Sequence, residues 1–210
     1  MSVDVSGHGY ESHYVAVGNH TLHYLDEGKG ETILFVHGIP EWSYLYSNVI
    51  RELSPSYRCI VPDHLGFGLS EKPATATLTP AAHATRLYEF ICALSLKDIH
   101  IVLHDYGGPI GAGVITAHPE LFRSITISNS WCWDVSVHKS GKVLKLMQGA
   151  LGRWLYLRYG FSVKFMAKNG FARKQDYAAV KEVLLQVHRT KEERLANYIL
   201  MLEMLRSGPW

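Results

Sequence analysis

A chain of 210 residues with 47% hydrophobic content is long enough to bury one sizeable core, alone or with a small appended layer. Its net charge of +2 comes from Lys and Arg scattered along the chain, so no basic stripe points to nucleic acid, and no apolar run reaches membrane-spanning length. Cys59, Cys92 and Cys132 are widely spaced in mostly apolar surroundings and read as reduced thiols, which with a polar Met1–Tyr10 leads us to expect a cytoplasmic protein.

In chain order, Ser12 to Val17 and Thr21 to Leu25 alternate around Gly18-Asn19-His20 and predict a hairpin. A strand from Thr32 to Val36 then leads through His37-Gly38-Ile39-Pro40 into a helix predicted from Glu41 to about Leu53. The strand Arg58 to Val61 feeds a Gly- and Pro-rich loop that begins Pro62-Asp63-His64-Leu65-Gly66, and a helix follows from Pro80 to Leu94. The apolar strand Ile99 to Leu103 turns at Asp105 into a helix that opens with Gly107-Gly108 and runs to about Phe122. A last strand, Ser124 to Ser128, is followed only by helical patterns at Lys142 to Tyr159, Gln175 to Val187 and Lys191 to Leu205. Thr190 stands three residues before Glu193, the spacing of a capping box. Alternating strands and helices imply a mostly parallel sheet with helices on both faces. Ligands of such sheets bind beyond the carboxyl ends of the strands, where His37, Asp63, Asp105 and Asn129 converge.

Asp105 carries the sharpest chemical signal. A carboxylate on a tight strand-to-helix bend is held out over the end of the sheet, beside backbone N–H groups free to bind an oxyanion. It attacks an alkyl carbon without prior deprotonation and forms an ester, splitting one hard hydrolysis into two steps. The plain alternative is an N-cap aspartate, and by residue type alone the two readings weigh equally.

Three stretches together resemble the α/β-hydrolase superfamily, in its haloalkane dehalogenase and epoxide hydrolase branch. They are His37-Gly38-Ile39-Pro40 with Glu41-Trp42-Ser43-Tyr44-Leu45-Tyr46, the run from Pro62 to Pro73, and His104-Asp105-Tyr106-Gly107-Gly108. The resemblance implies an α/β-hydrolase core over residues 1–130 and a helical cap over 131–210. It implies Asp105 as nucleophile, the backbone N–H groups of Ile39 and Tyr106 as oxyanion donors, and His37, Trp42, Tyr106, Asn129 and Trp131 around a small apolar organic substrate. Cap aromatics Trp133, Trp154, Tyr156, Tyr159, Phe161 and Phe165 are further candidates to line the pocket. No cofactor or metal is expected, since no dinucleotide fingerprint or ligand cluster stands in the sequence.

In the resembled family two more strands follow the cap, and the catalytic histidine follows the last of them. Nothing after Arg206 supplies either, and the position that often holds the catalytic acid is the amide Asn129. The chain is therefore expected to be truncated, to stall at the ester, or to serve as a non-catalytic binding module, with self-association through an uncovered sheet edge. Tyr106 and Ile39 stand where dehalogenases hold a tryptophan and often a polar side chain. Epoxide opening needs a cap tyrosine as proton donor, for which Tyr156, Tyr159, Tyr177 and Tyr198 are available.

Overall fold

The computed structural model describes residues 9–131, 145, 147–170 and 174–203. Strands β1 (His13–Val17), β2 (His20–Glu27), β3 (Thr32–Val36), β4 (Arg58–Pro62), β5 (Ile99–His104) and β6 (Phe122–Ser128) form one sheet in the order β1-β2-β4-β3-β5-β6. The β1–β2 hairpin pairs antiparallel and joins β4 antiparallel, while β4, β3, β5 and β6 run parallel. Helix α1 (Ser47–Leu53) covers one face, where Ile50 and Tyr46 meet Leu25, Phe35, Cys59 and Val61. Helices α2 (Pro80–Ala93) and α3 (Gly107–Ala117) cover the other, packing Leu87, Phe90, Ile110 and Val114 on Leu34, Ile60, Ile101 and Leu103.

Two of the predicted helices are shorter than their patterns suggest. The stretch from Glu41 enters as an extended Trp42 and a 3-10 turn, Ser43–Tyr46, before α1 begins. The cause lies 20 residues on: the Ser43 N–H is drawn to the buried Asp63 carboxylate at 2.6 Å and not to a helical carbonyl. Helix α3 stops at Ala117 because Pro119 pushes His118 out of the helical region and has no N–H to continue the ladder.

Over the carboxyl ends of the strands lie α4 (Ala150–Tyr159), a π-helical turn Ser162–Ala167, α5 (Lys174–Gln186) and α6 (Lys191–Glu203). The predicted start of α4 at Lys142 falls outside the described residues, as do Trp133 and Cys132. The capping box at the head of α6 forms: Thr190 Oγ1 accepts from the Glu193 N–H, and Glu193 Oε2 accepts from the Thr190 N–H. Ala196 and Leu200 of α6 belong to the main core, and Trp42 packs among Val163, Tyr177, Leu184 and Val187. At the seam Gly66, φ +88°, lies so close to Ala196 that a Cβ on it would come within 2.5 Å of that methyl. Among the described residues no helix is long and apolar enough to cross a membrane.

Candidate active site

Strands β3 and β5 are neighbours, so the turns that follow them meet. Asp105 sits at the tip of the β5 turn with φ +49°, a left-handed conformation that throws its side chain away from the sheet and costs an aspartate less than most residues. Its Oδ1 accepts the Ile39 N–H at 2.9 Å, and its carboxylate also accepts the Tyr106 N–H. Both N–H groups belong to residues that the sequence marks as oxyanion donors, and here they bond the Asp105 carboxyl. Close approach is possible because Gly38 has no side chain: a Cβ there would lie 2.3 Å from Asp105 Oδ1. Ser130, just past β6, donates its hydroxyl to the Asp105 carbonyl at 2.7 Å and ties the elbow to the neighbouring strand. Burial raises the Asp105 pKa, while the two N–H groups and His104 pull it back.

A second carboxyl shares the site. Glu41, two residues beyond Ile39, has its pKa pushed up to about 8, first by burial and then by the charge of Asp105. Asp105 holds two backbone donors and Glu41 accepts no hydrogen bond among the described residues. Of the two, Asp105 is thus the one whose charged form is the better stabilised, and Glu41 is the one that keeps a proton at neutral pH. Around this pair stand three phenols. The Tyr46 hydroxyl donates to the Val36 carbonyl at 3.0 Å. The buried Tyr106 hydroxyl has no partner among the described residues, and its ring meets Trp131 edge-on at 5.3 Å. Tyr156 of α4 is buried, and its ionisation is disfavoured first by burial and also by Asp105, which places it within electrostatic reach of that carboxyl.

Other expected residues take different places. His37 and Trp42 are both fully buried. His37 Nδ1 donates to the Gly38 carbonyl at 2.8 Å and its Nε2 accepts the His64 N–H at 3.1 Å, so it braces the turn. Trp42 anchors the cap helices. Asn129 is exposed with φ +45°, and Trp131 is half-buried against Tyr106. Among the cap aromatics, Trp154 and Tyr159 are 50% and 48% exposed and face solvent, while the Tyr177 hydroxyl is spent on Val163 and that of Tyr198 on Met147. Trp133 lies outside the described residues. His104 turns to the Ser128 carbonyl at 3.1 Å, as strand alternation requires. No described histidine is hydrogen-bonded to Asp105. Among the described residues no group of three or more His, Cys, Asp or Glu is placed to hold a metal ion.

Asp63 is the hub behind the site. Its carboxylate accepts from the N–H groups of Ser43 and Leu69 and from His23 Nδ1, the last two at 2.8 Å, and it touches no reacting position. Burial alone would raise its pKa, but His23, with lesser help from His37 and the Leu69 N–H, holds it below the ordinary carboxylate value.

The parallel strands, the elbow and the facing His-Gly turn have a counterpart among known families: residues 31–193 match the family described as alpha/beta hydrolase fold. The chain belongs to the α/β-hydrolase fold family. On its dehalogenase branch, the chain is 31% identical over 184 residues to haloalkane dehalogenase 2 of Mycobacterium tuberculosis, covering 86% of this chain and 64% of that relative. It thus spans just under two thirds of the length of this relative. Over 124 residues, 58% of this chain and 39% of the relative, it is 37% identical to a cis-3-alkyl-4-alkyloxetan-2-one decarboxylase of Shewanella oneidensis. The crystal structure of haloalkane dehalogenase DbeA from Bradyrhizobium elkani superposes with a TM-score of 0.82 at 23% identity, covering 93% of this chain and 69% of that one, which is a likeness of fold.

Sequence reasoning had passed over Glu41, Gly38, Ser130 and the hub role of Asp63. For Glu41 a signal was present: an acidic residue directly after the turn that meets Asp105, followed by the large apolar Trp42.

Proposed function

We propose that this chain alkylates its own Asp105 as the first half of a haloalkane-dehalogenase-like hydrolysis. The observation that carries the reading is a carboxyl group at a left-handed elbow, held by the N–H groups of Ile39 and Tyr106. Asp105 attacks a saturated carbon, the carbon–halogen bond breaks, the halide leaves with its electron pair, and the negative charge passes from carboxylate to halide. The same two N–H groups then bind the ester carbonyl and are placed for the oxyanion that forms when water attacks it. Activating that water takes a base, and none of the described histidines is in contact with Asp105. The ester is therefore expected to accumulate.

A second reading, opening of a strained ring at oxygen as in epoxide hydrolysis, is favoured by the protons the site holds. A halide leaves as a stable anion, but an alkoxide must be protonated, and Glu41, Tyr106 and Tyr156 are all protonated around Asp105 at neutral pH. The curated decarboxylase relative, whose name gives a four-membered cyclic ester as substrate, extends the candidate class to strained cyclic ethers and esters.

Intact-protein mass spectrometry after incubation with short bromoalkanes, epoxides and β-lactones separates these readings. A haloalkane adds its mass less that of the hydrogen halide, whereas a strained ring adds its whole mass. Either adduct should vanish in Asp105→Asn. No adduct with any compound would sink both readings and leave a non-catalytic binding module.

A further inference from the structure

The turn that brings Ile39 to Asp105 is built around Gly38, and a glycine there leaves the peptide units on either side of it free to swing. Each of the two is pinned by an imidazole. His37 Nδ1 donates to the Gly38 carbonyl at 2.8 Å, and that carbonyl shares one rigid peptide plane with the Ile39 N–H that bonds Asp105. The preceding peptide is held from outside the turn: His64 Nε2 donates to the His37 carbonyl at 3.1 Å. On its other side the same carbonyl lies against Gly107, where a Cβ would come within 3.1 Å of it.

His64 also sets which way the His37 ring works. Its backbone N–H donates to His37 Nε2 at 3.1 Å, so Nε2 is the acceptor and the proton of His37 stands on Nδ1, where the Gly38 carbonyl needs it. The two residues thus close a ring of two hydrogen bonds, their imidazoles 4.4 Å apart. His64 is itself fixed. It follows Asp63, whose carboxylate holds Ser43, Leu69 and His23, and its ring packs against Phe67 and His83. Burial, with His37 and His83 beside it, lowers the His64 pKa well below the ordinary imidazole value. It therefore carries a single proton, and because a carbonyl can only accept, that proton is on Nε2. Burial, then Arg86 of α2 and His37, keep His83 neutral as well.

We propose that His64 is a positioning residue for Asp105: through the carbonyl and the ring of His37 it holds the Ile39 N–H on the Asp105 carboxyl. What this does for alkylation rests on the reaction proposed above, but the hold on the carboxyl does not. The Ile39 N–H binds the charged form of Asp105 and lowers its pKa against the burial that raises it, so a slack turn leaves that pKa higher. Glu41, His104 on β5, and the phenols of Tyr46, Tyr106 and Tyr156 are the other titratable groups in electrostatic reach of Asp105, and all are kept in the variants below.

The test is the titration of the Asp105 carboxyl, read by carbon NMR of the 210-residue chain with isotope-labelled aspartate and assigned with Asp105→Asn. His64→Phe keeps a ring in place and loses the donor, so the Asp105 titration should move to higher pH. His64→Gln keeps an N–H donor and should bring it back towards the parent. His83→Phe removes an imidazole with no hydrogen-bond partner among the described residues and should leave the titration where it was. If His64→Phe does not fold, His64→Gln against His64→Met, alike in length and different in the donor, carries the same comparison. In the mass-spectrometric assay the acid limb of adduct formation should follow the same order. The rate at saturating bromoalkane should fall at least about tenfold in His64→Phe, with half-saturation little changed. An Asp105 titration that stays put in folded His64→Phe, that moves as far in His83→Phe, or that does not differ between His64→Gln and His64→Met overturns the proposal. A titration that moves as expected in a chain that no compound alkylates supports the positioning and sinks the reaction.

Discussion

At the scale of single residues, the site rests on a division of labour between two carboxyls that the backbone imposes. Asp105 is given N–H donors and Glu41 is given only burial and a negative neighbour. The linkage to stability has a definite sign. A carboxyl whose folded pKa is about 8 and whose unfolded value is near 4.5 binds a proton in the native state that the unfolded chain has released. Stability therefore falls as pH rises between those values. Thermal unfolding should show a lower Tm at pH 9 than at pH 6, and Glu41→Gln should flatten that slope; an unchanged slope would mean that Glu41 is already ionised in the fold. Gly38 gives a second prediction. In Gly38→Ala the new methyl must displace the Asp105 carboxylate, so adduct formation in the mass-spectrometric assay should drop at least about tenfold, a loss of 1.4 kcal/mol or more in barrier terms. The place of Asp105 on a tight bend at the end of β5 was legible from sequence because an acid between an apolar strand and a glycine pair marks such a turn. Glu41 was not, because its role comes from a neighbour 64 residues away, and no local pattern encodes that distance.

Elements came through the sequence where local chemistry sets them and blurred where a distant group intervenes. The strands and α2 follow from apolar runs, and Thr79 caps α2 by accepting the Ala82 N–H. The capping box of α6 was written in two residues and formed as spaced; Thr190→Ala should cost about 1 kcal/mol in chemical denaturation. The stretch after Glu41 carries a continuous helical pattern but starts as a 3-10 turn because Asp63, in a loop after the next strand, takes the Ser43 N–H. The cost of losing Asp63 should be correspondingly large. Asp63→Ala leaves His23 and two buried N–H groups without their acceptor, and about 3–5 kcal/mol of stability should disappear. A loss under 1 kcal/mol would mean that water replaces the carboxylate at little cost.

For the whole molecule, sequence pattern conveyed the layered α/β order and the change to helices after Asn129, since alternation and its end are visible in one dimension. It did not convey how far the helices merge with the sheet layer. Ala196 and Leu200 sit in the same core as Leu34 and Ile101, and Gly66 presses on Ala196. Unfolding in urea followed by tryptophan fluorescence and by circular dichroism should therefore give coincident curves. Two separated transitions would show that residues 131–210 fold as an independent unit.

The left-handed elbow also narrows the routes by which this scaffold can change its chemistry. At φ +49° a β-branched side chain is strained, so threonine is closed off at this tip, while serine, cysteine and aspartate, all unbranched at Cβ, fit at modest cost. A lineage can therefore exchange the side chain at this tip in a single substitution without rebuilding the bend, and the N–H groups that bond the carboxyl would lie beside whatever group replaces it. The fold's reactivity is in this sense modular at one position, with the geometry inherited and the reaction chosen by the side chain that occupies it.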